Sequence, residues 1–162
     1  RMQDNKDYFT NIFKIEREGA DRVRKDFANW STIWKEIDYF FDDAFTPDDN
    51  YVVTITEQKP EIAKAVLSDF IKTYDDTLDN ETWFASMKEL AEKHGFAKNG
   101  KVYKKDPDSY NGTIADVAKI LRVALTGRAQ TPDLYSLMQV MGKERVIRRL
   151  QLSTETAERL SA

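Results

Sequence analysis

The chain has 162 residues, of which 41% are hydrophobic and 33% charged, and its formal net charge is -3. This length suits one ordinary domain or two small ones with a real core, which excludes wholesale disorder. The chain has no cysteine, which excludes disulfides, thiolate metal sites and a cysteine nucleophile. No apolar run approaches the roughly 20 residues of a membrane helix, so we expect no membrane contact, and the absence of cysteine fits a cytoplasmic protein. Arg1 precedes Met2, and we expect this chain to be a piece of a longer protein.

Charge is distributed unevenly along the chain. Residues 1–95 carry 13 Lys and Arg against 21 Asp and Glu, a net charge of -8. Residues 96–162 carry 12 against 7, a net charge of +5. A basic C-terminal part on an acidic whole is typical of a localised contact with a polyanion, although uneven charge is also common in small proteins that bind none.

Helical periodicity dominates, beginning with an aromatic and charged segment from Asp7 to Asp43. Apolar residues in this segment recur at the spacing of one helix face: Trp30, Ile33, Trp34, Ile37 and Phe41. We expect the helix to end near Asp43, before the turn-forming residues 47–50. Residues 51–56 are the only strand-like run, and because a single strand has no partner we expect extended chain or a short irregular helix there.

Pro60 predicts the start of the next helix, because proline suits a first helical turn. Residues 75–79 are a polar joint and a plausible subdomain boundary, after which Asn80 is the expected cap of a helix that ends at Gly95. The buried face of that helix is predicted to be Trp83, Met87, Leu90 and Ala91. Residues 98–112 predict a long polar loop without apolar periodicity, which is typical of a mobile, functional or inserted segment.

The last third predicts several short helices. Residues 113–125 form one that Gly127 closes, and Thr131-Pro132 are the expected cap and first-turn proline of the next, which Gly142 breaks. A short basic helix over 143–150 and a weak terminal helix over 153–160 follow. The sequence therefore predicts an all-α fold of about seven to nine helices.

Little in the sequence points to catalysis. The six glycines show neither phosphate-loop spacing nor a dinucleotide fingerprint. His94, before Gly95, is the expected histidine at a helix C-terminus, where the helix dipole favours it. Asp42-Asp43 and Asp48-Asp49, with Glu57, could hold a hard cation, but solvated turns are the preferred interpretation. Tyr103 and Tyr110 could stack on bases or anchor their loop.

Two features of the last third stand above this background. Arg122 lies within an apolar run, where a guanidinium delivers its charge either to a partner molecule or to an internal ion pair with Asp116 or Asp133. The tight junction from Gly127 to Leu134 could offer backbone groups to base edges, with Arg128 reaching a phosphate. The following run, with four cations in residues 143–149, is by default a solvated face.

Together these residues form an ordered pattern. The segments are, in order, Arg122-Val-Ala-Leu-Thr-Gly-Arg128, Thr131-Pro-Asp-Leu134, and Gly142-Lys-Glu-Arg-Val146 with Arg149-Leu150. This pattern closely resembles the C-terminal part of bacterial-type glutamyl-tRNA synthetase. The aromatic helix up to Asp43 and the helices of residues 60–74 and 83–94 also resemble their counterparts there. The resemblance covers most of the chain, with the specific motifs in its last third.

The resemblance implies an all-helical anticodon-binding region of two consecutive subdomains, residues 1–77 and residues 78–162. The residues it assigns to tRNA are Arg122, which contacts anticodon bases, the turn of Thr131, Pro132 and Leu134, which packs on an unstacked base, and the backbone contacts Arg128, Lys143 and Arg145. It also implies an N-terminal base-reading arginine. The candidates for that role are Arg22, Arg24 and Lys25.

The resemblance further implies partners and a parent enzyme. The parent would be a class I synthetase that uses ATP and Mg to attach glutamate to tRNA, but this chain lacks its nucleotide-binding signatures. We therefore expect no cofactor and no catalysis in this chain, a monomer, and two partners: the anticodon loop of glutamate tRNA and the parent's catalytic domain. The alternative is a helical protein-interaction domain of the same ancestry. Stability should come from the aromatic core, especially Trp30, Trp34 and Trp83.

Overall fold

The computed structural model describes residues 6–17, 30–45 and 59–161. These residues form eight α-helices and no strand, so the predicted all-α fold is confirmed. In chain order the helices are α1 (Lys6–Lys14), α2 (Trp30–Ile37), α3 (Pro60–Thr73), α4 (Asn80–Lys93), α5 (Gly100–Lys105), α6 (Ile114–Thr126), α7 (Leu134–Met141) and α8 (Lys143–Ser161). Short 3-10 turns lie at Asp38–Phe40 and Pro107–Ser109.

The N-terminal helices meet through aromatic rings. Phe41 lies 4.9 Å from the Phe9 ring on α1 and 5.2 Å from the Trp34 ring on α2, between ring centroids. The helix predicted to run to Asp43 instead ends at Ile37 and tightens into the 3-10 turn, which buries Phe40. Trp34 is 39% exposed, so it covers the cluster rather than forming its centre. The predictions for residues 51–56 and for the side chain of Trp30 lie outside the described residues.

Helices α3 and α4 form where proline and the capping groups place them. Pro60 occupies the first turn of α3, as predicted. The cap of α4 is Asp79 and not the predicted Asn80: Asp79 Oδ1 accepts a hydrogen bond from the backbone N–H of Thr82 at 2.7 Å. The C-terminal position predicted for His94 is confirmed. Its Nε2 also lies 2.9 Å from Asp69 Oδ2 on α3, which ties the two helices together.

The prediction of a loop over residues 98–112 is wrong in part. Asn99 caps the short helix α5 by accepting from the backbone N–H of Val102 at 2.9 Å. The two ends of the segment are joined, because Ala97 N donates to Gly112 O at 2.8 Å and Ile114 N donates to Ala97 O at 2.9 Å. Polar capping groups make this helix, and a search for apolar periodicity misses it.

The two C-terminal helices predicted at 143–150 and 153–160 are one continuous helix, α8. Val146, Leu150 and Ala157 on it are completely buried, and so is Ser153, whose Oγ donates to Arg149 O at 3.0 Å. Because this bond satisfies the hydroxyl within the helix, a serine in the buried stripe does not end it.

Helices α3 and α8 pack along each other, and the core extends from them to the other helices. Buried residues from both sides of the predicted boundary at residue 77 join in one hydrophobic cluster, with Leu67 on α3 and Leu121 on α6 both fully buried. The division into residues 1–77 and 78–162 stays a prediction.

Candidate nucleic-acid interface

The junction between α6 and α7 is built from local capping bonds. Gly127 ends α6 in the left-handed conformation (φ +70°), which glycine adopts without a steric cost. Asp133 begins α7, where its carboxylate accepts from the backbone N–H and the hydroxyl of Ser136 at 2.9 and 2.8 Å. The predicted cap and first-turn proline, Thr131-Pro132, therefore precede the helix. They lie in the turn itself, which leaves Thr131 free of any capping role.

Thr131 instead holds Arg122. The Nε–H of Arg122 donates to Thr131 Oγ1 at 2.9 Å, and that hydroxyl donates to the carbonyl of Pro132 at 2.9 Å. These two hydrogen bonds hold the guanidinium through its Nε–H alone, so the terminal N–H groups of Arg122 take no part in them. The two residues that the sequence motif assigns to base recognition are thus in direct contact.

The alternative for Arg122, an ion pair with Asp116 or Asp133, is not what the structure shows. Asp116 forms a capping box with Thr113 at the start of α6, and Asp133 caps α7. Burial lowers the pKa of Arg122, and the charges of Asp133 and Glu16 act against that shift. These carboxylates act at a distance, so they partly offset the cost of burying the Arg122 cation, and neither of them is a bonded partner.

An apolar groove of ≈ 340 Å³ lies beside Arg122, between α4, α6 and the start of α7. Phe84 on α4 lies at this groove with 46% of its surface exposed, and Leu134 forms a buried part of the wall. The Lys88 ammonium lies 4.8 Å from the centroid of the Phe84 ring. The groove thus combines an exposed aromatic face with a fixed guanidinium, the two kinds of group that bind an unstacked base.

Phe84 was missed by the sequence analysis, which considered only the buried stripe of α4. The available signal was position: Phe84 follows Trp83 and so falls off the stripe formed by Trp83, Met87 and Leu90. A large aromatic side chain off the apolar face of a helix is an informative exception, because it is left exposed.

Arg128 and Arg145, predicted to contact the tRNA backbone, both have partners within the protein. Arg128 donates to the carbonyl of Lys35 and, at 2.7 Å, to Asp38 Oδ1. Arg145 donates to Asp42 Oδ2 at 3.1 Å and to the hydroxyl of Tyr8 at 2.7 Å. Their role in binding tRNA stays a prediction.

Asp42 is the centre of a cluster that the sequence did not reveal. Its carboxylate pairs with Arg145, with Arg148 and, at 2.9 Å, with the buried Arg149. Burial alone would raise the pKa of Asp42, but hydrogen bonds from the three arginines outweigh it and lower the pKa to about 2. The solvated face predicted for residues 143–149 is therefore wrong at the buried Arg149, whereas Asp42 and Arg148 are exposed and paired with each other.

Lys143 remains available at the surface. Its side chain is 48% exposed and its ammonium lies 3.5 Å from Asp76 Oδ1. Tyr103 and Tyr110 are half-buried, which fits either of their two predicted roles. The candidates Arg22, Arg24 and Lys25, and the acidic residues Asp48, Asp49 and Glu57, lie outside the described residues. Over residues 6–17, 30–45 and 59–161, no helix has the length and apolar character needed to cross a bilayer.

Comparison with known proteins identifies the class of domain. The chain matches the family described as "Anticodon binding domain" over residues 2–105 and 109–153, and it belongs to that family. The match includes residues 98–105 and 109–112 of the segment 98–112.

Several relatives are glutamate–tRNA ligases. The chain is 42% identical over 140 residues to the glutamate–tRNA ligase of Clostridium perfringens (strain 13 / Type A), a match that covers 86% of this chain and 26% of that protein. It is 35% identical over 150 residues to the glutamate–tRNA ligase of Acetivibrio thermocellus, covering 93% of this chain and 27% of the relative. The chain thus spans about a quarter of the length of these relatives, and the resemblance drawn from its motifs is confirmed.

Proposed function

We propose that this chain is the tRNA-reading region of a glutamate–tRNA ligase and binds the anticodon loop of glutamate tRNA. The parent enzyme would attach glutamate with ATP and Mg, and its catalytic domain would be the second partner of this chain. The region itself would need no cofactor, and would act as a monomer in the cytoplasm. The observation that carries the proposal is the bond between Arg122 and Thr131 at the edge of the groove.

Recognition would begin with a base splayed out of the anticodon loop. The base enters the groove and stacks on an apolar face there. Removing a neutral base from water costs less free energy than removing a charged group. Arg122, fixed by Thr131, donates to an acceptor on the base edge. The turn of Thr131, Pro132 and Leu134 closes one side. Lys143 supplies positive charge for the phosphates, whose contacts give much of the affinity of such complexes.

The test is a titration of the chain with glutamate tRNA and with copies carrying one changed anticodon base, each at two salt concentrations. A salt-dependent affinity that falls when a base is changed is the expected result. The variant Arg122→Ala should weaken cognate binding about tenfold, within the 1–3 kcal/mol that one arginine–base contact contributes, and reduce discrimination. Arg159→Ala, an exposed arginine in the last turn of α8, is the matched control.

Weak binding that ignores the anticodon would contradict the proposal and favour a protein-interaction domain. Incubation with ATP, glutamate and tRNA provides a second check. No aminoacylation is expected from this chain alone, and charging would contradict its assignment as a non-catalytic region.

A further inference from the structure

Residues 128–133, here called the reading turn, connect α6 to α7 and carry Thr131 and Pro132. No helix includes these residues, and Ala129 and Gln130 in the middle of the turn are exposed. Its own capping bonds fix Gly127 on one side and α7 on the other. The position of Thr131 between them depends on what holds the two ends of the turn.

Both ends are held by residues on or directly after the two N-terminal helices. At the first end, Arg128 reaches Lys35 and Asp38, and its guanidinium lies 5.0 Å from the centroid of the Tyr39 ring. At the second end, the backbone N–H of Asp133 donates to Glu16 Oε1 at 2.9 Å. The hydrogen bonds to Asp38 and Glu16 join positions 90 and 117 residues apart in the sequence.

Two further observations indicate that these contacts fix the position of the reading turn. Glu16 has φ +55°, a left-handed backbone conformation that is uncommon for a residue with a side chain and is kept where its surroundings require it. A small cavity of ≈ 30 Å³, lined by Ile12, Ile37 and Pro132 among others, lies beneath the turn. The turn thus lies over apolar side chains of α1 and α2 and is fastened beside them at each end.

We infer that Glu16 and Arg128 are positioning residues, which set the reading turn and through it the guanidinium of Arg122. The link is direct, because Thr131 accepts the Nε–H bond that orients Arg122. This inference rests on the proposed function and gives Arg128 a role different from the backbone contact predicted for it. The N-terminal helices then contribute to recognition by holding the base-reading turn of the C-terminal part.

The experiment compares Arg128→Ala and Arg128→Lys over a series of salt concentrations, with cognate and base-changed anticodon stem–loops. A phosphate contact requires only charge, so lysine would retain it, and its loss would reduce the salt slope by about 0.7 to 0.9. A positioning arginine places its Nη2 against both the Lys35 carbonyl and Asp38 while its guanidinium lies over the Tyr39 ring, and the compact head of a shorter lysine does not reproduce that combination. We therefore expect both variants to lose about tenfold in discrimination while the salt slope stays unchanged.

Variants of Glu16 test the inference independently of the Arg128 variants. Glu16→Ala still places a residue with a Cβ atom at φ +55° but removes the carboxylate that accepts from Asp133. This variant should lose about fivefold to tenfold in discrimination between anticodons. Glu16→Gln keeps an oxygen acceptor and should retain most of it. Glu89→Ala, an exposed glutamate on α4, is the matched control. Because Glu16 is exposed, its variants should fold even where an Arg128 variant does not, as circular dichroism will show.

The outcomes separate the two proposals. If the wild-type chain ignores the anticodon, the proposed function fails. If the wild type and Arg122→Ala differ as expected but Glu16→Ala discriminates like the wild type, the positioning inference alone is overturned. Arg128→Lys behaving like the wild type while Arg128→Ala loses salt slope would restore Arg128 as a phosphate contact.

Discussion

Arg149 on α8 is 3% exposed, and its Nη2 lies 2.9 Å from Asp42 Oδ1, a residue 107 positions earlier in the sequence. The same guanidinium donates to the carbonyls of Tyr39 and Leu125 and stacks over Phe45 at 4.1 Å. One buried cation therefore connects the N-terminal aromatic cluster, the end of α6 and the long C-terminal helix.

Replacing Asp42 by Ala should destabilise the protein by about 2 kcal/mol, because the buried Arg149 loses its counter-ion. The value is below the ~3–5 kcal/mol for a fully buried pair, since Asp42 is itself 40% exposed and water can partly replace it. Urea denaturation measures the change. Asp108→Ala, on an exposed 3-10 turn, is the control and should change stability by less than about 0.5 kcal/mol. Equal effects of the two variants would contradict this role of Asp42.

The protein should lose stability in acid below about pH 4. In the folded state the pKa of Asp42 is about 2, and hydrogen bonds from Lys93 and then His94 also hold the pKa of Asp69 at about 2. Because an unfolded aspartate has a pKa near ~3.9, these carboxylates stabilise the fold at higher pH, and this contribution disappears as pH falls from about 4 to about 2. Thermal unfolding at pH 2 to 6 tests this, and Asp42→Asn should show a shallower acid decline. An identical decline in wild type and variant would exclude Asp42 as a cause.

Phe84→Ala should weaken binding of the cognate stem–loop about fivefold or more and leave stability nearly unchanged. Stacking of one base on an aromatic ring is worth ~1–3 kcal/mol, whereas a side chain that is 46% exposed contributes less to the core. Leu152→Ala, which removes a 45% exposed side chain from α8, is the matched control for dissociation constants measured by fluorescence anisotropy. If both variants bind like the wild type, the groove does not receive a base.

Trp83 and Trp34 should differ sharply in their effect on folding. Trp83 is 7% exposed and contacts Tyr135 at 5.6 Å between ring centroids, so Trp83→Ala should cost ~3–5 kcal/mol. Trp34→Ala removes a half-exposed ring and should cost about 1–2 kcal/mol through its stacking on Phe41. Chemical denaturation compares the two. Similar losses would mean that the N-terminal aromatic cluster is as central as the main core.

Local signals predicted much of this fold because helix ends are marked by characteristic residues such as proline and glycine. Pro60 and the stop at Gly127 each act within four residues of their own position, and the apolar stripes of the helices are periodic. The motif around Arg122 assigned both Arg122 and Thr131 to tRNA, and the hydrogen bond between them came only from the structure. Local signals failed where another capping residue lay close by, as with Asp133 and Asp79, and where one long helix, α8, was predicted as two.

The charged clusters could not be read from the sequence for a different reason. Arg149 looks like a surface residue in a basic run, and only the approach of Asp42 and Tyr39 makes its burial favourable. Glu16 has no motif at all. Its contact with Asp133 exists because two chain segments 117 residues apart meet, and no local pattern specifies that meeting.

The segment between Ala97 and Gly112 begins and ends at neighbouring points, since Ala97 bonds to both Gly112 and Ile114. A change in the length of this segment should therefore leave the packing of α4 against α6 unchanged. A fluorescent protein or affinity peptide inserted at its exposed tip, residues 106–109, would be carried outside the bundle without straining either helix. This position is the natural attachment point for a reporter of binding or a surface tether for single-molecule work.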